Sequence, residues 1–354
     1  MTEQADFPQL QALLDAMPNP VVAIDGAGIT VAANARARLV LPGLRLAQPV
    51  ALVLHAAELI ETIERVIATG QPDKAHFSER VPAERWYEVY VVPVRPQAAA
   101  PGSGRALLLL TFHDLTPLHR VEQVRADFVA NASHELRTPL AALSGFIDTL
   151  LGPARDDPAA REKFLGIMQT QASRMARLID DLLSLSRIEL QAHVNPDVPL
   201  DLVPILRQVL DSLQTLARER DVKLTLAAPV DSITVRGDRD ELTRLFENLV
   251  ENALKYGASG KRVEVGVELA KTEGGKPDEV KIAVRDYGPG IAPENVPRLT
   301  ERFYRVDVGQ SRAEGGTGLG LALVKHILAR HRGRLEIDSE LGKGSTFTAV
   351  IPVG

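Results

Sequence analysis

The sequence predicts a multidomain α+β protein with three parts: an N-terminal antiparallel sheet, a helical hairpin that pairs into a dimeric four-helix bundle, and a C-terminal α/β sandwich. A chain of 354 residues exceeds what one compact core usually holds. Strand patterns fill residues 1–116, helical periodicity fills residues 117–192, and helices alternate with strands in residues 193–354. These shifts in pattern set the predicted domain boundaries.

Composition excludes several classes of function. The formal net charge of −5 argues against direct nucleic-acid binding, which usually needs a basic surface. The chain has no cysteine, which excludes disulfides, thiolate metal sites and cysteine nucleophiles. No apolar run approaches the roughly 18 residues of a membrane span, and the first residues lack the pattern of a signal peptide. We therefore expect a cytoplasmic chain whose sequence encodes no membrane association.

The N-terminal part alternates short apolar runs with turn residues. Residues 19–34, "NPVVAIDGAGITVAAN", show two apolar runs around an Asp-Gly turn, which predicts a hairpin. Residues 85–94 and 105–114 predict two further strands, joined by a Pro/Gly/Ser-rich connection. Helices between these strands make the predicted layout α+β.

From Leu118 the apolar residues recur in steps of three and four. The segment "GPARDDP" (152–158) interrupts this pattern, and a second series follows as far as Ile188. Two amphipathic helices joined by a short turn predict an antiparallel hairpin. One hairpin cannot bury both apolar stripes, so we expect a homodimer through residues 117–192.

The C-terminal part alternates helices and strands over one domain length. Helices are predicted at 202–219, 239–256 and 318–331. Strands are predicted near 222–227, 233–236, 261–269, 279–286, 334–338 and 345–352.

Polar residues of this part gather where a ligand could bind. Asn248, Asn252 and Lys255 share one face of the helix 239–256, beside its apolar stripe. Amides and an ammonium so placed can hold hydrated Mg²⁺ and phosphate oxygens, although on these residues alone a solvated helix face is the better interpretation.

The last residue of the predicted strand 279–286 is a carboxylate on its buried face. Asp286 continues the parity of Val280, Ile282 and Val284, so it should point inward, where it needs a hydrogen-bond donor such as an adenine amino group. The following Gly288 and Gly290 permit close approach of a planar ligand.

A glycine-rich turn precedes the helix 318–331. The run "GGTGLGLALVKHI" places four glycines immediately before and within the first turn of this helix. The exposed N–H groups and the positive end of the helix dipole at that point favour binding of an anion. The preceding "RVDVGQSRAEGG" has no periodicity and is typical of a lid, and Arg302 and Arg305 are candidate phosphate contacts.

Five motifs occur in an order that resembles one family. "LFENLVENALKY", "DYGPGI", "ERFYRVD", "GGTGLGL" and "GKGSTF" resemble the nucleotide boxes of sensor histidine kinases, and "NASHELRTPL" resembles their phosphoacceptor box. The resemblance covers about residues 118–354 and implies binding of ATP and Mg²⁺. It implies further that the partner is the receiver domain of a response regulator. The implied roles are Mg²⁺ binding by Asn252 with Asn248 beside it, adenine binding by Asp286, and phosphate or ribose contacts by Lys255 and Tyr256. Gly316, Gly318 and Gly320 would let the lid and the helix start close on the phosphates, Leu319 counts among the cofactor-binding residues, and Thr346 would support the adenine pocket.

The phosphoacceptor box places His134 away from the apolar stripe of its helix, with Glu135 beside it. A neutral imidazole is a competent nucleophile, and a carboxylate can orient it or accept its proton. Pro139 removes an N–H from this turn and predicts a hinge. Thr138 lies on the His134 face, and the resemblance implies that it positions water in a second, phosphatase activity.

Residues 10–116 resemble a PAS domain, through "LLDAMPNPVVAIDGAGITVAANARA" and "TFHDLTPLHRVEQ". The run "RADFVANASHELRTPLAALSGFIDTL" is similar to phosphate-regulon sensor kinases, which implies signalling of phosphate starvation. His55, His76 and His113 show no pattern of haem ligands. Two alternatives stay open: a non-catalytic nucleotide-binding PAS scaffold, and a gyrase-like ATPase. Against the latter, Asn248 stands where related ATPases carry a water-activating glutamate.

Overall fold

The computed structural model describes residues 7–54, 56–79, 84–94, 107–191, 194–271, 277–307, 309, 311 and 314–353. It divides the chain into two compact units, residues 1–129 and residues 130–354. Among the described helices, none has a stretch that is long and apolar enough to cross a membrane.

The first unit is built on a five-stranded antiparallel sheet in the order β2-β1-β5-β4-β3. Its elements are α1 (Phe7–Asp15), β1 (Val21–Asp25), β2 (Thr30–Ala33), α2 (Ala35–Val40), α3 (Ala57–Thr69), β3 (Asp73–Glu79), β4 (Arg85–Val94) and β5 (Leu107–Asp114). The predicted antiparallel sheet with helices in its middle is confirmed. Strand β3 is an addition, because only Ala75 and Phe77 of its sequence "DKAHFSE" are apolar and buried.

Aromatic side chains fill the core of the first unit. The rings of Phe77, Tyr87 and Phe112 lie 6.1 Å apart in each pair and are buried beneath the helices. His76 and His113 are exposed on separate strands, while His55 lies outside the described residues. Neither His76 nor His113 therefore lies in the buried core of this unit.

The helical hairpin consists of α4 (Thr116–Leu151) and α5 (Pro158–Leu190). Asp157 caps α5 by accepting hydrogen bonds from the N–H groups of Ala159 and Ala160, and Pro158 occupies the first turn, where no N–H is needed. The α5 stripe is buried at Leu178, Leu185 and Ile188. Helix α4 continues through Pro139 without interruption.

Exposed apolar side chains remain on the hairpin in the single chain. Leu140 and Ile147 on α4, and Leu165, Ile179 and Leu183 on α5, are all more than 40% exposed. Burying such side chains stabilises a structure by roughly 1.5–3 kcal/mol each. The hairpin thus presents a surface that favours a helical partner.

The C-terminal part is an α/β sandwich. Its helices are α6 (Leu202–Glu219), α7 (Arg239–Tyr256) and α8 (Gly320–Arg330), and its strands are β6 (Val198–Asp201), β7 (Lys223–Ala227), β8 (Thr234–Gly237), β9 (Arg262–Lys271), β10 (Pro277–Asp286), β11 (Arg334–Glu340) and β12 (Gly344–Pro352). The main sheet runs β11-β12-β10-β9-β7, with only β7 and β9 parallel within it. Strands β6 and β8 form a separate ribbon.

Buried leucine, valine and phenylalanine side chains of α6, α7 and α8 pack in the core of this sandwich. Each helix has the periodicity that the sequence predicts, and α7 has the predicted bounds of 239–256. Asp238 caps α7 by accepting hydrogen bonds from the N–H groups of Asp240 and Glu241. This cap fixes the start of the helix that carries Asn248 and Asn252.

Candidate functional site

A cleft of about 750 Å³ lies between α5, α7, α8 and the ends of β10 and β12. Most of the sequence-predicted nucleotide residues line it: Asn248, Asn252, Lys255, Tyr256, Asp286, Gly290, Arg305, Gly316, Gly318 and Gly320. These residues are up to 72 positions apart in the chain, so the fold brings them together. The volume is within the range typical of small-ligand sites.

Asp286 is a buried carboxylate at the floor of the cleft. It is only 5% exposed and accepts a hydrogen bond of 2.9 Å from the N–H of Gly288. Burial raises the pKa of Asp286, whereas the backbone N–H groups of Gly288 and Ser345 oppose that rise. A ligand with an amino group would supply a further donor, as adenine does.

Helix α7 contributes a polar row to the cleft. Asn248 donates to the carbonyl of Arg244 at 2.8 Å, which leaves its amide oxygen directed elsewhere. Lys255 forms an ion pair of 2.8 Å with Glu251. The amide oxygens of Asn248 and Asn252 are ligands that suit Mg²⁺, and Lys255 is a cation within the same lining, so this set fits a metal–phosphate group.

Two glycines make room at the end of the cleft that adjoins the start of α8. A Cβ added to Gly316 would lie 2.8 Å from the Tyr256 hydroxyl, and one added to Gly320 would lie 2.5 Å from Asn248 Oδ1. Gly320 begins α8, so its side of the cleft has unpaired helix N–H groups and the positive end of the dipole. This arrangement fits an anion held close to the backbone.

Arg305 connects the cleft to the turn of α4 that carries His134 and Glu135. Its guanidinium is 4% exposed and donates to both oxygens of Glu135, at 2.9 and 3.3 Å. Arg174 of α5 donates to the same carboxylate at 2.9 Å. Because two guanidinium groups hold Glu135, its carboxylate is fixed beside the neighbouring His134.

His134 is exposed on α4, as the helical periodicity predicts. Thr138 lies one turn later on the same exposed face, and its hydroxyl donates to the His134 carbonyl at 3.3 Å. Pro139 is buried, so its ring faces the hairpin interior. The imidazole is therefore accessible while the turn that carries it is held by packing.

Several predicted residues do not reach the cleft lining. Thr346 pairs with Arg285 on the outer face of the sheet, and its neighbours Ser345 and Phe347 line the cleft instead. Arg302 forms an ion pair with Glu189 of α5. Gly288 and Leu319 lie behind the lining: Gly288 donates to Asp286, and Leu319 is fully buried at the start of α8.

The structure also adds residues that the sequence did not reveal. Arg244 of α7 and Asp181 of α5 line the cleft and form an ion pair of 2.8 Å. Burial raises the pKa of Glu247. The positive charge of the neighbouring Arg244 opposes that rise, and the negative charge of the neighbouring Glu251 adds to it. Arg244 lies one helical turn before Asn248, and that spacing was the signal that could have identified it.

Comparison with known proteins agrees with this geometry. Residues 237–354 match the family of histidine kinase-, DNA gyrase B- and HSP90-like ATPases, and residues 124–191 match the His Kinase A phosphoacceptor domain. The chain belongs to the histidine kinase family. Residues 237–354 contain most of the residues that line the cleft, and residues 124–191 contain His134 and the part of α5 that completes the lining.

Sensor kinases are among the relatives of this chain. It is 43% identical over 241 residues to the phosphate regulon sensor protein PhoR of Pseudomonas aeruginosa, covering 68% of this chain and 53% of PhoR. It is 39% identical over 249 residues to the sensor-like histidine kinase SenX3 of Mycolicibacterium smegmatis, covering 70% of this chain and 62% of SenX3. The chain thus spans between half and two thirds of the length of these relatives.

One solved structure shares the fold over nearly the whole chain. Histidine kinase ThkA, solved in complex with the response regulator protein TrrA, has a TM-score of 0.51 and 19% identity, covering 97% of this chain and 98% of ThkA. This likeness supports the multidomain α+β architecture.

Proposed function

We propose that this chain is a sensor kinase that uses ATP to phosphorylate its own His134 and then passes the phosphoryl group to an aspartate of a response regulator. The observation that carries the proposal is the contact between Arg305, which lines the nucleotide cleft, and Glu135, which adjoins His134. It links the nucleotide site to the proposed acceptor through one ion pair.

ATP fits the chemistry of the cleft. Asp286 would accept a hydrogen bond from the adenine amino group, and Lys255, Gly316 and the start of α8, which line the same cleft, would hold the triphosphate. Asn248 and Asn252 would hold Mg²⁺, which neutralises charge on the phosphates. The cleft therefore offers groups of matching polarity to both ends of the nucleotide.

The transfer step needs a neutral imidazole and a proton acceptor. A ring nitrogen of His134 attacks the terminal phosphorus of ATP, the bond to the bridging oxygen breaks, and ADP leaves with that electron pair. Glu135 orients the ring and takes its proton, a role typically worth about 10²–10⁴ in rate. In the present arrangement Arg174 and Arg305 hold Glu135, so they must release it before it can act.

Labelling with ATP that carries ³²P in its terminal phosphate tests this proposal. The wild type should gain label that is stable in base and labile in acid, and His134→Gln should gain none. His119→Gln, which removes another histidine of α4, is the matched control and should be labelled. ATP hydrolysis without protein label would support the gyrase-like ATPase, and nucleotide binding without either would support the scaffold.

The proposed assembly is a homodimer through residues 117–192, with residues 1–116 as a PAS-like sensory domain and residues 193–354 as the ATP-binding domain. The exposed apolar residues of α4 and α5 support pairing of two hairpins. The relative ThkA was solved with a response regulator protein, which supports a receiver-domain partner. Analytical ultracentrifugation at micromolar concentration should give the dimer mass.

The proposed signal is phosphate starvation, supported by the identity to PhoR. Thr138, on the His134 face, is proposed to position water for dephosphorylation of the same regulator. Deletion of the gene should alter expression of phosphate-responsive genes at low but not at high phosphate.

A further inference from the structure

Asp181 of α5 bridges two groups at the phosphate end of the cleft. Its Oδ1 accepts a hydrogen bond of 2.8 Å from the Arg244 guanidinium, and its Oδ2 accepts one of 2.8 Å from the Thr317 hydroxyl. Arg244 is further fixed by a hydrogen bond to Ser184. One carboxylate of the hairpin thus binds two separate elements of the ATP-binding domain.

These two groups have the geometry of an anion subsite. A guanidinium and a hydroxyl hold the two oxygens of one acidic group, which is also how such side chains bind phosphate oxygens. Thr317 lies in the glycine turn that leads into α8, and its hydroxyl accepts from the N–H of Leu319 at 3.3 Å. The helix start therefore adds positive potential to the same place.

Arg244 also lies in register with the proposed metal–phosphate residues. It precedes Asn248 and Asn252 by one and two helical turns, so it extends their row along the same face of α7. All three line the cleft. The row would therefore follow a polyphosphate chain from Asn252 toward the start of α8.

We propose that Arg244 and Thr317 form a binding subsite for the terminal phosphate of a nucleoside triphosphate, and that the Asp181 carboxylate occupies this subsite in the conformation seen here. The inference rests on the proposed function, since it assigns the phosphate end of that nucleotide. Because one carboxylate and one phosphate cannot share the same donors, ATP competes with α5 for the subsite. ADP, which lacks the terminal phosphate, does not compete.

Other contacts also hold α5 against the ATP-binding domain. Glu189 pairs with Arg302 and lies 3.6 Å from His326 of α8. Acidic residues of the hairpin therefore hold basic groups around the cleft, and binding of the triphosphate releases α5 at Asp181. That release frees the ATP-binding domain to move toward His134.

Calorimetric titration of the full chain with Mg²⁺-ATP and Mg²⁺-ADP tests the subsite. Asp181→Asn keeps the shape of the side chain but removes its charge, and it should tighten ATP binding about five- to tenfold while changing ADP binding less than twofold. Adding Arg244→Gln to Asp181→Asn should weaken ATP binding about tenfold relative to Asp181→Asn alone, again with little change for ADP. Glu162→Gln removes an exposed charge elsewhere on α5 and is the matched control.

The possible outcomes separate the terminal-phosphate subsite from the proposed kinase function. Equal effects on ATP and ADP, or no tightening by Asp181→Asn, would overturn the subsite even if the wild type labels His134. Tightening by Glu162→Gln as large as that by Asp181→Asn would overturn it too, because the effect would be one of general charge. Absence of ATP binding in the wild type and in both variants would overturn the proposed function itself.

Discussion

Replacing Asp286 by Asn should remove most of the affinity for ATP. The carboxylate is almost fully buried and already accepts from the N–H groups of Gly288 and Ser345. With adenine bound, three donors need acceptors, and an amide offers one oxygen in place of two. One donor is then left unpaired in a buried place, which costs about 1.5–3 kcal/mol, or about 10- to 150-fold in Kd.

Isothermal titration calorimetry with ATP measures this change. Asp338→Asn is the matched control, because Asp338 pairs with Thr346 on the outer face of the same sheet. This substitution should leave the Kd for ATP unchanged. A Kd for Asp286→Asn within twofold of the wild type would refute the assignment of Asp286 to adenine.

The same carboxyl predicts a pH dependence of binding. Burial raises the pKa of Asp286 above the ordinary value of 3.8. The charged form accepts from adenine, so affinity should be full above the raised pKa and should fall as pH decreases through it. In Asp286→Asn this loss should disappear, and an identical pH profile in both proteins would contradict the explanation.

Three further changes have expected outcomes. Gly320→Ala places a Cβ 2.5 Å from Asn248 Oδ1 and should weaken ATP binding by about tenfold or more in calorimetry, with a thermal midpoint close to that of the wild type. Thr138→Ala should lose dephosphorylation of the regulator and keep autophosphorylation, and loss of both activities would count against a water-positioning role. Burial lowers the pKa of His331, and its neutral ring accepts a hydrogen bond at Nε2 from the Asp238 N–H. The contribution of His331 to stability is therefore fully present above pH 6.5, and it decreases as the pH falls from 6.5 through the lowered pKa. Thermal unfolding curves of His331→Gln should lack this loss.

Periodicity was sufficient to predict most of the fold. The bounds of α6 and α7 follow from apolar steps of three and four that end at a capping residue or at Gly257. Strand β3 escaped detection because only two of its seven residues are apolar, and β6 because it is short and follows a Pro-containing linker. In each strand the apolar alternation covers only two residues, Ala75 and Phe77 in β3 and Val198 and Leu200 in β6, which is too short to predict a strand.

The candidate site was predictable where one element carries both the chemistry and its orientation. The parity of β10 placed Asp286 inward, and the spacing on α7 placed Asn248 and Asn252 on one face. The contact of Arg305 with Glu135 joins residues 170 positions apart, and that of Asp181 with Arg244 joins residues 63 positions apart. No local pattern encodes such pairs, because they depend on how the ATP-binding domain rests against the hairpin.

Mapping of the phosphorylated residue tests the central claim most directly. The full chain is incubated with Mg²⁺-ATP, digested under mildly alkaline conditions that preserve phosphohistidine, and analysed by tandem mass spectrometry. We expect the phosphoryl group on His134 in the wild type and no phosphopeptide from His134→Gln. Phosphate on a different residue, or an unmodified His134 in a protein that binds ATP, would contradict the account.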